Sequence, residues 1–228
     1  MKKDITELFY HVDEFASGLE KEAARYQLSN NSDSRSPTRV PGLSMGEIMM
    51  IMLMFQESPC RNFKYFYKSY MTLYRPEFPN MPSYERFVAL MPRAFIFLSV
   101  LLYSLLSPGQ GIGYIDATSL AICHPKRISQ NKVFKGLAAL GKTTKGWFFG
   151  FKLHVITDEK GNLLRVKLTK GNMDDRQVVP QMTKGLLGLL FGDKGYISAK
   201  LFLRLYQRGL KLVTGLKKTM KNKVMLWH

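Results

Sequence analysis

The chain has 228 residues, of which 46% are hydrophobic and 22% charged, the balance of a globular protein with a genuine core. Its net charge of +17 points to a polyanionic partner, nucleic acid above all. Residues 1–110 carry 12 Lys and Arg against 11 Asp and Glu, whereas residues 111–228 carry 22 against 6, so the second half is expected to face the polyanion. Charge alone leaves a basic RNA-binding surface open. Two cysteines far apart, Cys60 and Cys123, build neither a disulfide framework nor a zinc site and fit a reducing cytoplasm. The N-terminal MKKDITELFYHVDEF carries acids where a secretory signal needs an apolar run. Residues 94–106 are the most apolar stretch; they fall short of the ~20 residues of a membrane span and read as a buried helix, so no membrane association is expected.

The first half reads as helical. Ile5, Leu8, Phe9, Val12, Phe15 and Leu19 recur at helical spacing. The polar, Pro-containing SNNSDSRSPTRVPG reads as a loop. Ser44 and Glu47 then form a capping box ahead of the apolar run IMMIMLMF, whose methionines read as core filler. Ser58-Pro59 reads as the cap of the aromatic segment NFKYFYKSY, and Ser83 as the cap of one more helix. From residue 111 the period changes. GIGYIDATSLAI reads as a strand. A Gly- and Lys-rich stretch follows, then the hairpin WFFGFKLHVIT–DEKGN–LLRVKLT. GNMDDRQVVPQM enters a helix, LGLLFGD is a short buried strand, ISAKLFLRLYQRG a helix and KLVTGLK a last strand. The order β-β-β-α-β-α-β is typical of an RNase H-like sheet. The expectation is an α/β chain: an all-helical domain over 1–110, then an RNase H-like domain with a mixed sheet over 111–228.

Two aspartates stand out by position. Asp116 lies inside the first apolar strand, where a carboxylate is costly unless it is paired or binds a cation. Asp193 ends the fourth strand, where a plain turn role is the competing reading. First and fourth strands are neighbours in an RNase H-like order, so the two carboxylates converge on one spot. Such a pair suits divalent metals that activate a water and stabilise the leaving oxygen of a phosphodiester, with Mg²⁺ favouring all-oxygen ligands.

The segments GYIDATSLAICHPKRISQNKVFKG, GWFFGFKLHVITDEKGNLL and FGDKGYIS resemble DDE-type transposases of bacterial insertion sequences, most closely the insertion-sequence 982 family. SMGEIMMIMLMF and RNFKYFYKSY extend the resemblance through the helical half. The resemblance implies a DDE triad binding Mg²⁺ (or Mn²⁺), donor-strand hydrolysis at the element's ends, and attack of the new 3′-hydroxyl on target DNA. Its DNA partners would be double-stranded transposon ends and target, with a homo-oligomer as the acting form. Asp116 matches the first acid and Asp193 the second. The third, a glutamate, belongs on a helix after the last strand, and the sequence ends at His228 without one, which reads as a C-terminal truncation. Asp158 and Glu159 fall in the hairpin turn. Asp174 and Asp175 read as helix N-terminal acids. A catalytically inactive DNA-binding remnant is the alternative function.

Between the first two strands lie Lys126, Arg127, Lys132, Lys135, Lys142 and Lys145 without one acid, a flexible cationic loop placed to neutralise DNA phosphates. His124 and His154 read as structural and Trp147 as a packing residue. Residues 136–143, GLAALGKT, match the phosphate-loop pattern GxxxxGK[ST] and keep a nucleotide-binding protein open as a further alternative. Such a loop must open a helix, whereas here a strand-like segment follows.

Overall fold

The computed structural model describes residues 5–29, 42–109, 111–144 and 146–216, and the chain divides into two compact units at Ser104–Leu105. Most of the polar loop after the first helix, Lys145 and residues 217–228 lie outside the described residues.

The first unit is helical: α1 (Ile5–Ser29), α2 (Met45–Glu57), α3 (Phe63–Lys68), α4 (Tyr84–Leu90) and α5 (Ala94–Ser104). Ser44 caps α2 as its sequence requires, accepting from the Glu47 amide at 3.0 Å while the Glu47 carboxylate accepts from the Ser44 amide at 2.6 Å. The methionines of α2 are core: Met45, Met49, Met50 and Met54 are buried with Ile48, Ile51, Phe66 and Phe87. Ser58 ends α2 rather than opening the aromatic helix: its amide bonds back to the carbonyls of Met54 and Phe55. Asn62 caps α3 instead, accepting from the Tyr65 amide at 3.2 Å. Roughly one helical turn of sequence separates the two candidates, and only Asn62 leads directly into the ring cluster of Phe63, Phe66 and Tyr67.

The apolar stretch expected to be a buried helix is arranged differently. Residues Tyr84–Ser104 form a 21-residue helical run that is, by length and composition alone, long and apolar enough to cross a membrane; the stretch expected to be a buried helix is its second half, and it is mostly not buried. α5 packs Ala94, Phe97, Leu98 and Leu101 on the methionine core and leaves Phe95 72% and Ile96 67% exposed. α5 is apolar all round, and the helical repeat can bury only one of its sides within this unit.

The second unit is a mixed sheet with two helices. Its elements are β1 (Gly111–Cys123), β2 (Ala139–Thr143), β3 (Gly146–Asp158), β4 (Leu163–Lys170), α6 (Asp175–Met182), β5 (Gly188–Gly192), α7 (Ala199–Tyr206) and β6 (Leu210–Thr214). The hydrogen-bonded order is β2-β3-β1-β5-β6, with β4 also paired to β3. β1, β3 and β4 run antiparallel, while β1, β5 and β6 run parallel. α6 and α7 cover one face with Val178, Val179, Leu201 and Leu205, which pack on Ile115, Ile156, Leu190 and Leu212. The β3–β4 turn is closed by Asp158, whose carboxylate accepts from the amides of Lys160 and Asn162 and from the Asn162 side chain. These bonds, the Asn162 side chain foremost, hold the Asp158 carboxyl below its ordinary range.

The basic stretch after β1 is not a flexible loop throughout. It begins with a 3₁₀ turn, Pro125–Gln130, capped by His124 Nδ1 accepting from the Lys126 amide. It then enters β2, paired with β3 from Ala139↔Gly150 to Thr143↔Gly146. The segment matching the phosphate-loop pattern therefore starts in a turn at residues 136–138, continues as strand β2 and opens no helix. Gly141 allows this packing: a Cβ there would sit 2.1 Å from the Gly171 carbonyl oxygen, so only glycine lets the backbone after β4 press on β2.

Candidate active site

The register of the two central strands brings the sequence-selected acids together. β1 and β5 pair in parallel from Gly111↔Gly188 to Ile115↔Gly192. One residue further along each strand stand Asp116 and Asp193. Neighbouring strands lie ~4.8 Å apart, and residues in register point to one side of a parallel pair. The two acids thus stand at the same end of the sheet, each one residue past the last paired position. Both residues are exposed, which differs from the buried position the apolar strand suggested for Asp116. Side chains alternate along a strand: Ile115 is buried against α6 and α7, whereas Tyr114 and Asp116 take the opposite, open side.

Asp193 also serves as a turn residue. It caps the 3₁₀ turn Lys194–Tyr196, with Oδ1 accepting from the Gly195 amide at 2.8 Å. The turn fixes the carboxylate's orientation without neutralising it. Among the described residues no Lys, Arg or His forms an ion pair with Asp116 or Asp193, in a chain with 34 Lys and Arg. Like charges on adjacent strands repel. A hard divalent cation is the group such oxygen donors hold best. No cluster of three or more His, Cys, Asp or Glu that could hold a metal occurs among the described residues. The site there is a pair.

Behind the pair lies a group of residues that pattern reading missed. Tyr196 is buried, and its hydroxyl has no hydrogen-bond partner among the described residues. Burial pushes its pKa up, and the carboxylates of Asp175, Asp116 and Asp193 push the same way. On β3, Lys152, His154 and Ile156 share the covered face. Lys152 Nζ donates to Asp175 Oδ1 and to the Met173 carbonyl, both at 2.9 Å. His154 is fully buried, with Nε2 2.9 Å from Thr169 Oγ1 and Nδ1 4.0 Å from Asp175 Oδ1. Burial lowers the His154 pKa, Asp175 opposes that shift, and Lys152 and Lys167 add to it. The period-two alternation of KLHVI carried this signal, since every second residue of a half-buried strand must share the core face.

The remaining acids serve local structure. Asp174 caps α6, accepting from the Arg176 amide at 2.9 Å, and pairs with the Arg176 guanidinium at 2.5 Å. That guanidinium holds the Asp174 carboxyl below its usual range. Lys126, Arg127, Lys132, Lys135 and Lys142 are all exposed, and Lys145 lies outside the described residues. Trp147, expected to pack, is instead 59% exposed, with Lys142 Nζ 5.5 Å from its ring centroid.

Compared with known proteins, none of the curated sequences matches this chain. A family model described as "Transposase DDE domain" matches residues 107–228, the whole of the mixed-sheet unit from just before β1. This span is more than half of the chain and contains Asp116, Asp193 and the basic segment; the chain belongs to the DDE transposase family.

Proposed function

We propose that this protein is an insertion-sequence transposase of the 982 type. In this reading an RNase H-like domain uses Asp116 and Asp193 to hold Mg²⁺ or Mn²⁺ at the DNA ends of its element. The observation that carries the proposal is the juxtaposition of two exposed carboxylates, without an ion-pair partner among the described residues, one position beyond the Ile115↔Gly192 pair. The RNase H-like assignment rests on the order β4-β3-β1-β5-β6, with three antiparallel and then two parallel strands. A carboxylate pair suits a divalent ion that completes its coordination with water and phosphate oxygens. When bound, that ion supplies an activated water and charge stabilisation on the phosphodiester.

The chain's own residues bind and orient. The Gly195 amide aims the Asp193 carboxylate, and Asp116 faces it from β1. Lys126, Arg127, Lys132, Lys135, Lys142 and Lys145 hold the DNA backbone through phosphate contacts, which set position rather than sequence. The helical unit binds the element ends, and the acting form is an oligomer in the cytoplasm.

The test is divalent-dependent nicking of a duplex carrying the element's ends. Asp116→Asn and Asp193→Asn should each lower the rate at least about a hundred-fold, the scale of a lost transition-state stabiliser, while duplex binding persists. Nicking that survives either change refutes the assignment.

A second reading is favoured by the same site. No group of three or more possible metal-ligating side chains occurs among the described residues, which suits a protein that occupies transposon ends without completing the reaction. Strand transfer by this chain alone should therefore be weak or absent. Robust Mg²⁺-dependent joining of element ends to target DNA would eliminate this second reading.

A further inference from the structure

Away from the carboxylate pair, the unit carries an open groove of about 410 Å³ between the β2–β3 edge and the start of α6. Lys142 and Trp147 form one wall, paired across the two strands. Asn172, Asp174 and Asp175 form the other, and Gly141 and Gly171 lie between the walls. Added Cβ atoms at Gly141 and Gly171 would collide with the backbone within 3 Å, so this floor is bare main chain. The volume falls within the ~300–1,000 Å³ of clefts that take small ligands.

The groove's chemistry is selective. Its acids are already neutralised, Asp175 by Lys152 at 2.9 Å and Asp174 by Arg176 at 2.5 Å. Among the described lining residues the remaining cation is Lys142, which sits against the indole. A large aromatic surface left 59% exposed beside a lysine gains from a partner with a flat π-face and an attached negative charge. A nucleotide has both. An intact duplex hides its base faces in the stack, whereas an unpaired base offers one, and base–aromatic stacking contributes ~1–3 kcal/mol.

We infer that the Trp147–Lys142 groove binds an unpaired nucleotide of a DNA strand, the base stacked on Trp147 and its phosphate on Lys142. This inference deepens the reading of the chain as a DNA-acting protein and rests on it.

The experiment measures binding of a short oligothymidylate, and of a duplex of equal length, to the full chain. Trp147→Ala should weaken oligothymidylate binding roughly ten-fold or more and change duplex binding less than about two-fold, because phosphate contacts dominate there. Trp147→Phe should recover most of the loss, and the unchanged duplex binding of Trp147→Ala excludes a general packing defect. In a Trp227→Phe background the oligonucleotide should quench the fluorescence of the remaining indole. Equal effects of Trp147→Ala on both ligands, or on neither, overturn the inference. Asp116→Asn and Asp193→Asn separate the two proposals, since both should leave oligothymidylate binding intact. Stacking without Mn²⁺ binding that depends on Asp116 and Asp193 rejects the metal site and keeps the groove; such Mn²⁺ binding without any Trp147 effect does the reverse.

Discussion

At Asp193 one side chain meets two demands, closing the turn after β5 through the Gly195 amide and presenting charge beside Asp116. These are rival readings of FGDKGY in the sequence, and they are compatible because the carboxylate has two oxygens. His154 shows the opposite situation, a titratable group enclosed for structure. Burial holds its pKa below the ordinary value of about 6.5. As pH falls through that value the unfolded chain takes up a proton before the folded chain does, so stability present above it is lost below it. The melting temperature should therefore drop between about pH 7.5 and about pH 5.5, and His154→Gln should flatten that slope. Equal slopes in both proteins would show that His154 does not control the acid limb. The two aspartates were legible as residues, because acids are rare in apolar strands. Tyr196 and the Lys152–Asp175 pair were not, because their meeting depends on tertiary contacts across 21 residues or more.

Among the elements, those with strong local signals were the most readable. The Ser44–Glu47 capping box and the β3–β4 hairpin follow from side-chain bonds within four residues. Ser44→Ala should cost about 1 kcal/mol, measurable as a lowered denaturant midpoint; an unchanged midpoint would show that the cap contributes nothing to α2. β2 was hidden because its residues, ALGKT, imitate a phosphate-binding loop while their hydrogen bonds go to β3. Gly141→Ala distinguishes these roles. In a strand pressed on Gly171 the new methyl must displace backbone, so the variant should lose substantially more stability than Ser44→Ala. Lys142→Ala should leave stability nearly unchanged, since its ammonium is exposed. α5 escaped correct reading for a related reason: composition reports how apolar a helix is but not how much of it finds a neighbour, and here Phe95 and Ile96 find none within the described helical unit.

For the molecule as a whole, charge is divided as the chain is divided, with the excess of Lys and Arg in the half that carries the carboxylate pair. DNA affinity should fall steeply with salt. Replacing Lys126, Arg127, Lys132 and Lys135 together by Ala should reduce the slope of log affinity against log salt by roughly 0.9 for each phosphate no longer neutralised. An unchanged slope would move the DNA-binding surface elsewhere. The division into a helical half and a mixed sheet was legible because periodicity switches from the helical repeat to alternation near residue 111. Strand adjacency was inferred only from element order, and the register that sets Asp116 beside Asp193 is a property of the paired strands. That register is where the functional account is most exposed. Binding of Mn²⁺ to the full chain, followed by electron paramagnetic resonance, tests it directly. If the two carboxylates share an ion, Asp116→Asn and Asp193→Asn will each abolish the high-affinity signal, and the double substitution will remove nothing more. Two independent, additive losses, or binding retained in either single variant, would contradict a shared site.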